Sequence, residues 1–308
     1  MKIILTGDIH LTDRAPVART DNWGETVQRK IDWLFYLKER YLEKGTTYLL
    51  DAGDMFDNAR PSNELIAWAI GNLPAFDLTL PGNHDLPGRT LKNIGNTAQS
   101  ILHEAGIIYL VGAENGLRLG ENLKVWTFPW GVLPTPCPDT SNYQEDGISR
   151  IAVAHILTWS GKIPWAGIES DSATDLLHQL TGYDLILTGH NHKAFHAQEG
   201  TRYLVNPGSI FRLTADEAEA KPCVYVWDTD TNELIQEFVP IESGAVTREH
   251  IERVEERDAR IEAFADHLNK DWLVETSFER NVENYFSRNR AVDPRVKELV
   301  YEAISSGK

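Results

Sequence analysis

Residues 46–57 read TTYLLDAGDMFD, a short apolar run that ends in glycine and acidic residues. Four other segments have the same form, namely KIILTGD at 2–8, FDLTLPGNHD at 76–85, RIAVAH at 150–155 and YDLILTGH at 183–190. Leucine-rich and β-branched runs bounded by Gly, Pro and Asp are typical of buried strands. We therefore predict five buried strands, each followed by a loop that carries polar side chains.

A helix is predicted between the first two strands, where apolar residues recur at three- and four-residue spacing: Trp23, Val27, Ile31, Leu34, Leu37 and Tyr41. That spacing is typical of one apolar helix face. Strand, helix and strand in this order indicate an α/β sheet covered by helices. Further helices are predicted over 62–73 and 90–105. The later segments LKVWTFPWG, RYLVNPGSIFRL and PCVYVWDTD indicate a second sheet packed on the first.

The composition is that of a globular protein, since 42% of the 308 residues are hydrophobic and 25% are charged. A net charge of −16 argues against coating nucleic acid through bulk charge, because that binding comes from Lys and Arg. A phosphate-bearing substrate must therefore be held locally. Neither Cys137 nor Cys223 lies in a CxxC pattern, and no apolar run has the length of a signal peptide or membrane span. We expect a reduced, cytoplasmic protein.

The composition changes after about residue 244, where Glu, Arg and Asp become frequent. We predict a main domain over residues 1–244 and a helical tail over 245–308. Ile251, Val254, Ile261, Ala265 and Leu268 form an approximate apolar stripe in the tail, and Pro294 is expected to open a last helix that ends near Ile304.

Side chains with metal-binding chemistry follow all five predicted strands, and ligand sites in α/β sheets lie beyond the carboxyl ends of strands. Carboxylate, imidazole and amide donors without thiolate suit Mn, Fe or Zn better than Ca or Cu(I). Seven candidate ligands are too many for one ion but suffice for two ions that clamp a phosphoryl group, with Asp54 as the bridge. They are Asp8, His10, Asp54, Asn83, His155, His190 and His192.

Glycine precedes three of these ligand groups, at Gly53, Gly82 and Gly189. We expect each glycine to supply the freedom in φ that a sharp turn needs.

The motifs D-x-H at 8–10, G-D-x-x-D at 53–57, G-N-H-D at 82–85, a lone His155 and G-H-x-H at 189–192 resemble, in this order, those of the calcineurin-like metallophosphoesterases. Within that superfamily, GDMFDNARPS, GIIYLVG, TFPWG, TGHNHK and NPGSIFRL resemble segments of the SbcD-like nuclease subunit of DNA repair complexes. The likeness extends from residue 1 to about residue 240.

The resemblance implies a two-sheet metallophosphoesterase sandwich flanked by helices, with a small helical C-terminal appendage. It also implies two ions, usually manganese. One is held by Asp8, His10, Asp54 and His192, and the other by Asp54, Asn83, His155 and His190.

By the same resemblance, His84 acts on the leaving group and Asp85 orients His84. Partners implied by the resemblance are DNA, an SbcC-like SMC-type ATPase and a second copy of the chain. Archaeal and eukaryotic relatives carry a DNA-positioning His where this chain and bacterial members have Asp, so Asp57 is a candidate for contact with the substrate. Only 64 residues remain after residue 244, which is short for the DNA-capping domain of the family.

Three functions are compatible with these residues. The first is a Mn-dependent DNA nuclease, exo- or endonucleolytic, in which a water activated by two metals attacks phosphorus. The second is a phosphodiesterase of small nucleotides or a phosphomonoesterase, because a metal pair recognises the phosphoryl group and not its substituents. The third is a non-catalytic docking subunit. Catalysis is favoured over docking because every ligand and His84 are present.

Four basic residues lie close to the motif loops and are candidates to hold a DNA backbone, with surface salt bridging as the alternative: Arg60, Arg89, Lys193 and Arg212. Tryptophans near the loops can stack nucleobases or pack in the core. Core packing is expected for Trp126, and the alternatives stay open for Trp159 and Trp165. His196 is expected to be an ordinary strand residue.

Overall fold

This computed structural model describes residues 1–139, 147–163, 167–249, 251, 260–261 and 278–305. The chain divides into two compact units, Met1–Thr247 and Arg248–Lys308. The elements of the first unit follow one another as β1 (Lys2–Thr6), α1 (Trp23–Leu42), β2 (Thr47–Asp51), α2 (Asn63–Asn72), β3 (Phe76–Thr79), α3 (Ala98–Glu104), β4 (Ile108–Leu110), β5 (Leu117–Arg118), β6 (Leu123–Phe128), β7 (Ser149–Ala154), α4 (Ala173–Gln179), β8 (Leu185–Thr188), β9 (Phe195–Glu199), β10 (Arg202–Asn206), β11 (Cys223–Asp228) and β12 (Glu233–Phe238).

The strands form two six-stranded mixed sheets, which confirms the predicted two-sheet α/β architecture. The first sheet has the order β12-β11-β1-β2-β3-β4, and β1 to β4 are parallel while β11 and β12 run antiparallel to their neighbours. The second has the order β5-β6-β7-β8-β10-β9, with β6, β7, β8 and β10 parallel. The carboxyl ends of β1, β2 and β3 therefore meet at one edge of the first sheet, and those of β7 and β8 meet at one edge of the second.

The two sheets pack face to face through fully buried side chains. Ile3 and Leu5 of β1 belong to the same buried cluster as Val153 of β7 and Leu187 of β8. Side chains alternate across a strand. Accordingly, Ile4 points to the other face and joins a cluster that includes the apolar face of α1. The third cluster packs α4 on the second sheet. The result is a four-layer arrangement of helices, two sheets and helices.

Most predicted elements are confirmed, and the differences have local causes. All six apolar residues of the predicted α1 face are buried. Helix α2 begins at Asn63 because the Ser62 hydroxyl caps it by accepting from the Leu65 N–H. The helix predicted over 90–105 was too long, since a 3₁₀ segment at Leu91–Asn96 precedes α3. Strand β10 ends at Asn206 because Pro207 has no N–H to donate.

The second unit contains two described helices, α5 (Phe278–Arg288) and α6 (Pro294–Ser305). The predicted helix start at Pro294 is confirmed, whereas α5 was not predicted. Of the predicted apolar stripe, Val254, Ala265 and Leu268 lie outside the described residues. In the part of the chain that the structure describes, we find no helix with both the length and the apolar character that a membrane crossing requires.

Candidate metal centre

The seven predicted ligands lie together where the strands β1, β2, β3, β7 and β8 end. Five of them are almost completely buried, namely Asp8, His10, Asp54, Asn83 and His155. His190 and His192 are half-buried and face the surface of the site. The loops that follow these five strands therefore meet at one rim, as predicted.

The first group of ligand atoms comes from Asp8, His10 and His192, which lie within 4.8 Å of one another. The Nε2 atoms of His10 and His192 are 3.0 Å apart. The Nε2 atom of His10 is also 3.8 Å from Asp54 Oδ2. With Asp54, the first group therefore has four donor groups that lie close together.

The second group comes from Asp54, His155 and His190, again within 4.8 Å of one another. His155 Nε2 is 3.2 Å from Asp54 Oδ2 and 3.1 Å from Asn83 Oδ1. The Nδ1 atom of His155 bonds to the carbonyl of Ala52 at 2.7 Å. Since a carbonyl only accepts, Nδ1 carries the proton and Nε2 is free to act as a ligand. Asp54 Oδ2 lies between the two groups, where a bridging oxygen would be needed.

The backbone of the loops is held in an unusual conformation at the ligands themselves. Asp8, His10, Asp54 and His190 have φ values of 49°, 51°, 54° and 79°. Left-handed backbone is uncommon for residues with a side chain and concentrates at functional sites, where the surrounding structure enforces it. Here these residues lie in the short loops that follow β1, β2 and β8, which are strands anchored in the core.

The three glycines before the ligands do not share one role, and the expectation of φ freedom was right only for Gly53. Gly53 has φ of 99°, whereas Gly82 and Gly189 have no positive φ. A Cβ at Gly82 would overlap the carboxylate of Asp54, and one at Gly189 would lie 2.8 Å from the carbonyl of Ala52. Gly82 and Gly189 are therefore required for space, because the loops pack against each other at backbone distance.

Burial dominates the electrostatics of the site. It raises the pKa of Asp8 to about 6 and that of Asp51 well above its ordinary value. Burial also lowers the pKa of His10 to about 3 and that of His190 to about 4, so these imidazoles are neutral. Burial acts in the same sense on His155, but the Asp54 carboxylate beside it outweighs this effect and raises the pKa to about 9.

Two carboxylate oxygens in the site lack the hydrogen bonds that buried oxygens normally make. Asp8 Oδ2 and Asp54 Oδ2 are buried without a hydrogen-bond partner among the described residues, although His155 Nε2 lies 3.2 Å from Asp54 Oδ2. Leaving such a group unsatisfied costs about 1–3 kcal/mol, and more for a charge. Imidazole nitrogens, carboxylates and an amide oxygen around these atoms are the donor set of divalent transition metals. The residues present therefore fit a pair of divalent cations.

His84 lies beside the first group of ligands and has one ring nitrogen already engaged. Its Nδ1 is 2.6 Å from the backbone carbonyl of Asp57, so Nδ1 carries a proton and Nε2 remains for other contacts. The His84 ring meets the His10 ring edge to face, with centroids 4.7 Å apart. Its backbone N–H donates to Asp54 Oδ1 at 2.8 Å. His84 is thus tied to the ligand that both groups share.

The expected role of Asp85 as the residue that orients His84 is not what the contacts show. The Asp85 carboxylate accepts from the backbone N–H groups of Phe56 and Gly82, at 3.1 and 3.0 Å, and from the side-chain amide of Gln99 at 3.0 Å. It is fully inside the protein, and burial raises its pKa to about 7. Asp85 joins the loop after β2 to the loop after β3, while the Asp57 carbonyl orients His84.

Two residues that support the ligands were not among the predicted site residues. Glu217 Oε1 is 3.8 Å from His192 Nδ1, and its Oε2 accepts from the backbone of Leu213. Asn206 donates to the carbonyl of Asn191 at 2.6 Å, which fixes the loop between His190 and His192. Only the N-P-G sequence at Asn206 offered a signal, because the chain must turn there. Glu217 lies in no motif.

Asp57 faces His10, the first histidine of the site. Its Oδ1 is 3.6 Å from His10 Nδ1, which is buried without a hydrogen-bond partner among the described residues. Histidine ligands commonly donate their second N–H to a carboxylate, which fixes the ring and its tautomer. The side chain of Asp57 is positioned for this, in addition to its expected place near the substrate.

The predicted basic contacts separate into two kinds. Arg60, Arg89 and Lys193 are exposed and line three clefts, which also contain Asp57, His84 and His192 respectively. Arg212 is buried instead, and its guanidinium donates to the carbonyls of Ala218 and Glu242. It therefore holds the fold together and is not accessible to a substrate.

The remaining predictions concern aromatic and histidine side chains. Trp126 is buried in the core, as expected. Trp159 is half-buried, and its indole N–H lies 3.3 Å from the carbonyl of Ser170. His196 is an ordinary residue of β9, and Trp165 lies outside the described residues.

The comparisons with known proteins agree with this site. The family model of the calcineurin-like phosphoesterases matches residues 1–194, so the chain belongs to this family. It is accordingly a phosphoester hydrolase of a two-metal class. No curated protein sequence is significantly similar to it.

Solved structures similar to the chain include an archaeal phosphodiesterase, at 15% identity and a TM-score of 0.39 over 77% of this chain and 99% of the other. A metallophosphoesterase from Sphaerobacter thermophilus is similar at 13% identity and a TM-score of 0.37, over 79% and 90% of the two chains. These values are too low to indicate a substrate.

We predict that Gly82→Ala weakens the binding of Mn²⁺ at least tenfold and destabilises the protein by about 1–3 kcal/mol, because the added methyl group displaces Asp54. Urea unfolding and calorimetric titration with Mn²⁺ measure the two effects. Gly71→Ala is the matched control, since nothing lies within 4 Å of a Cβ there. Unchanged metal binding in Gly82→Ala would contradict the close approach of Gly82 to Asp54.

We predict that Asp57→Ala lowers the affinity for Mn²⁺ roughly 10- to 100-fold, because His10 loses the carboxylate that faces Nδ1. Calorimetric titration of the metal-free protein measures the affinity. Asp32→Ala removes the same charge from an exposed position on α1 and is expected to leave the affinity unchanged. Equal losses in both variants would show that only the net charge matters.

Proposed function

We propose that this protein is a manganese-dependent DNA nuclease that hydrolyses phosphodiesters in the cytoplasm as the nuclease subunit of an SbcC/SbcD-like repair complex. The observation that carries the proposal is the pair of ligand groups that share Asp54, with His84 beside them and open clefts around them. Further support comes from the resemblance of five segments between residues 53 and 213 to SbcD-like nuclease subunits.

We assign the ligands in two sets. Asp8, His10, Asp54 and His192 hold one cation, and Asp54, Asn83, His155 and His190 hold the other. When bound, the two divalent cations supply Lewis acidity that neutralises the phosphodiester and favours ionisation of the attacking water. The neutral imidazoles of His10 and His190 suit this role, because their lone pairs are available without loss of a proton.

His84 is the residue of this chain that acts on the leaving group. Because Nδ1 is bound to the Asp57 carbonyl, only Nε2 can reach a substrate oxygen. Donation from Nε2 to the departing oxygen requires the imidazolium form, whose second proton neutralises the developing alkoxide. Afterwards the ring is left neutral and must regain a proton from solvent.

Basic side chains near the site allow an acidic chain to bind a nucleic-acid substrate. The net charge is −16, yet Arg60, Arg89 and Lys193 each line a cleft at the rim of the site. Exposed cations of this kind hold phosphates without specifying the sequence. The clefts are open on several sides of the ligands, which suits a chain that continues past the scissile bond.

The division of the chain suggests where partners bind. We assign residues 1–244 to the nuclease domain and 245–308 to a reduced cap or partner-binding segment. Helices α5 and α6 carry exposed apolar side chains, including Tyr285, Val296 and Leu299. Such surfaces are suited to an SbcC-like ATPase. A homodimer is a further proposal that rests on the resemblance alone.

Hydrolysis of small nucleotides is the second candidate function, and the acidic net charge favours it, because long polyanions are repelled more strongly than small ones. A docking role without catalysis is disfavoured by the presence of His84 and of every ligand.

We predict that His84→Ala binds two equivalents of Mn²⁺ like the unchanged protein but loses roughly 10²- to 10⁴-fold in turnover, because proton donation to the leaving group is lost. Metal analysis and steady-state rates on a phosphodiester measure the two effects. His178→Ala serves as the control, since His178 is 58% exposed and pairs with Glu199. A variant with an empty centre would refute the assigned role.

Cleavage assays decide between the two enzymatic functions. We expect Mn²⁺-loaded protein to cleave labelled linear duplex, single-stranded or hairpin DNA, and we expect chelation of the metal or His84→Ala to abolish cleavage. Cyclic nucleotides and bis(p-nitrophenyl) phosphate are tested in parallel. Cleavage of the small substrates alone would establish the second function. An inert protein with two bound metals would contradict both.

A further inference from the structure

A cavity of about 540 Å³ opens beside the metal ligands His155 and His190. It is a different space from the clefts that contain His84 and the basic side chains. Among the described residues its walls are mainly apolar, and they include the indole ring of Trp130 besides the two histidines. Cavities of 300–1,000 Å³ with apolar and aromatic walls are typical binding sites for small organic groups.

Trp130 is held in place by the loops that build the metal centre. It follows β6 and Pro129, and its backbone N–H donates to the carbonyl of Pro81 at 3.1 Å. Its ring lies 5.1 Å from the His190 ring at an angle of 39° and 6.2 Å from the His155 ring. The side chain is only half-buried. Trp130 is therefore a fixed aromatic surface next to the ligands, and part of it remains uncovered.

The chemistry of the cavity favours an uncharged, flat group. Val132, Leu133 and Leu157 contribute apolar wall, and Leu133 is 81% exposed. Besides the histidines, the ionisable side chains that line the cavity in the described part of the chain are Glu169 and Asp171. Carboxylates repel phosphate and accept hydrogen bonds from N–H and O–H groups. A phosphate is thus excluded from the cavity, while a ring that carries N–H donors is accommodated.

The neighbouring cleft has the opposite character. It shares Leu157 and His190 with the cavity, and its charged residues besides the histidines are Lys162 and Lys193. Both lysines are exposed. The surroundings of His190 are therefore divided into a cationic side, which suits phosphate, and an apolar side with carboxylates. A nucleotide has the same division between its phosphate and its base.

We propose that this cavity binds the nucleobase next to the scissile phosphodiester, stacked on the exposed part of Trp130. The inference rests on the proposed function, because it takes a nucleotide-containing diester as the substrate. Stacking on an aromatic side chain tolerates every base, since all bases present a π-face. Trp130 accordingly raises the affinity for a nucleoside substituent without reading the sequence.

Two diesters with the same leaving group test the proposal, namely the p-nitrophenyl ester of thymidine 5′-monophosphate and methyl p-nitrophenyl phosphate. We expect the Mn²⁺-loaded protein to show a higher kcat/KM for the thymidine ester. Trp130→Ala is expected to lower that value roughly 10- to 100-fold, as loss of one stacked base would, and to leave the methyl ester nearly unchanged. Trp130→Phe is expected to retain most of the preference.

The controls separate stacking from a structural role of Trp130. Equal losses on both esters would show that Trp130 acts through His190, and the proposal would be overturned. Trp68→Phe changes a tryptophan in α2 that lies outside the cavity and is expected to leave the ratio of the two kcat/KM values unchanged. Should Trp130→Ala fail to fold, Leu133→Asp tests the same cavity from an exposed position and is expected to lower the ratio.

A binding measurement tests the nucleobase site independently of the proposed hydrolytic function. Calorimetry on the Mn²⁺-loaded protein compares thymidine 5′-monophosphate with methyl phosphate. We expect the nucleotide to bind at least tenfold more tightly and Trp130→Ala to remove the difference. If neither ester is hydrolysed but this difference is found, the proposed function fails and the cavity assignment stands. Equal affinities for the two phosphates would overturn the assignment.

Discussion

The structure depends on how this chain accommodates several buried carboxylates in one small volume. Like charges without water repel each other strongly, and desolvation adds to the cost. The backbone provides part of the compensation, since the N–H of His190 donates to Asp8 and the N–H of His84 donates to Asp54. Asp85 accepts further N–H groups from the same loops. Among the described residues, buried carboxylate oxygens of Asp8, Asp51 and Asp54 have no hydrogen-bond partner, and divalent cations held by Asp8 and Asp54 would offset the remaining negative charge.

That balance requires loops that approach one another at backbone distance. Asp8, Asp54 and His190 occupy left-handed backbone, which a free chain would avoid. The two sheets make this conformation possible, because each loop leaves a strand whose side chains are fully buried between the layers. Space at Gly82 and Gly189 is the second requirement, since a side chain there would displace Asp54 or the carbonyl of Ala52. The geometry of the metal site in this fold therefore depends on the packing of the core.

The two-metal class explains the phosphoryl chemistry, whereas substrate choice belongs to the surroundings of the ligands. Cationic side chains at the clefts and an apolar cavity beside His190 divide the rim into regions with different preferences. Lys193 lies in the cationic region, and Trp130 lies in the apolar one. In an acidic protein, cationic side chains confined to the rim can attract a phosphate group while the rest of the surface remains negative.

The order and spacing of the motifs were sufficient to predict the two-sheet fold, the family and the meeting of seven candidate ligands at one rim. These features could be predicted because periodic burial and strand-end chemistry are local in the sequence. The predicted roles of Asp85, Gly82 and Arg212 were wrong. The contact between Glu217 and His192 was not predicted at all. These features depend on distances between segments far apart in the chain. Local pattern determines which donors follow each strand, but only the packed sheets decide which atoms touch, because contact is set by three-dimensional packing and not by spacing along the chain.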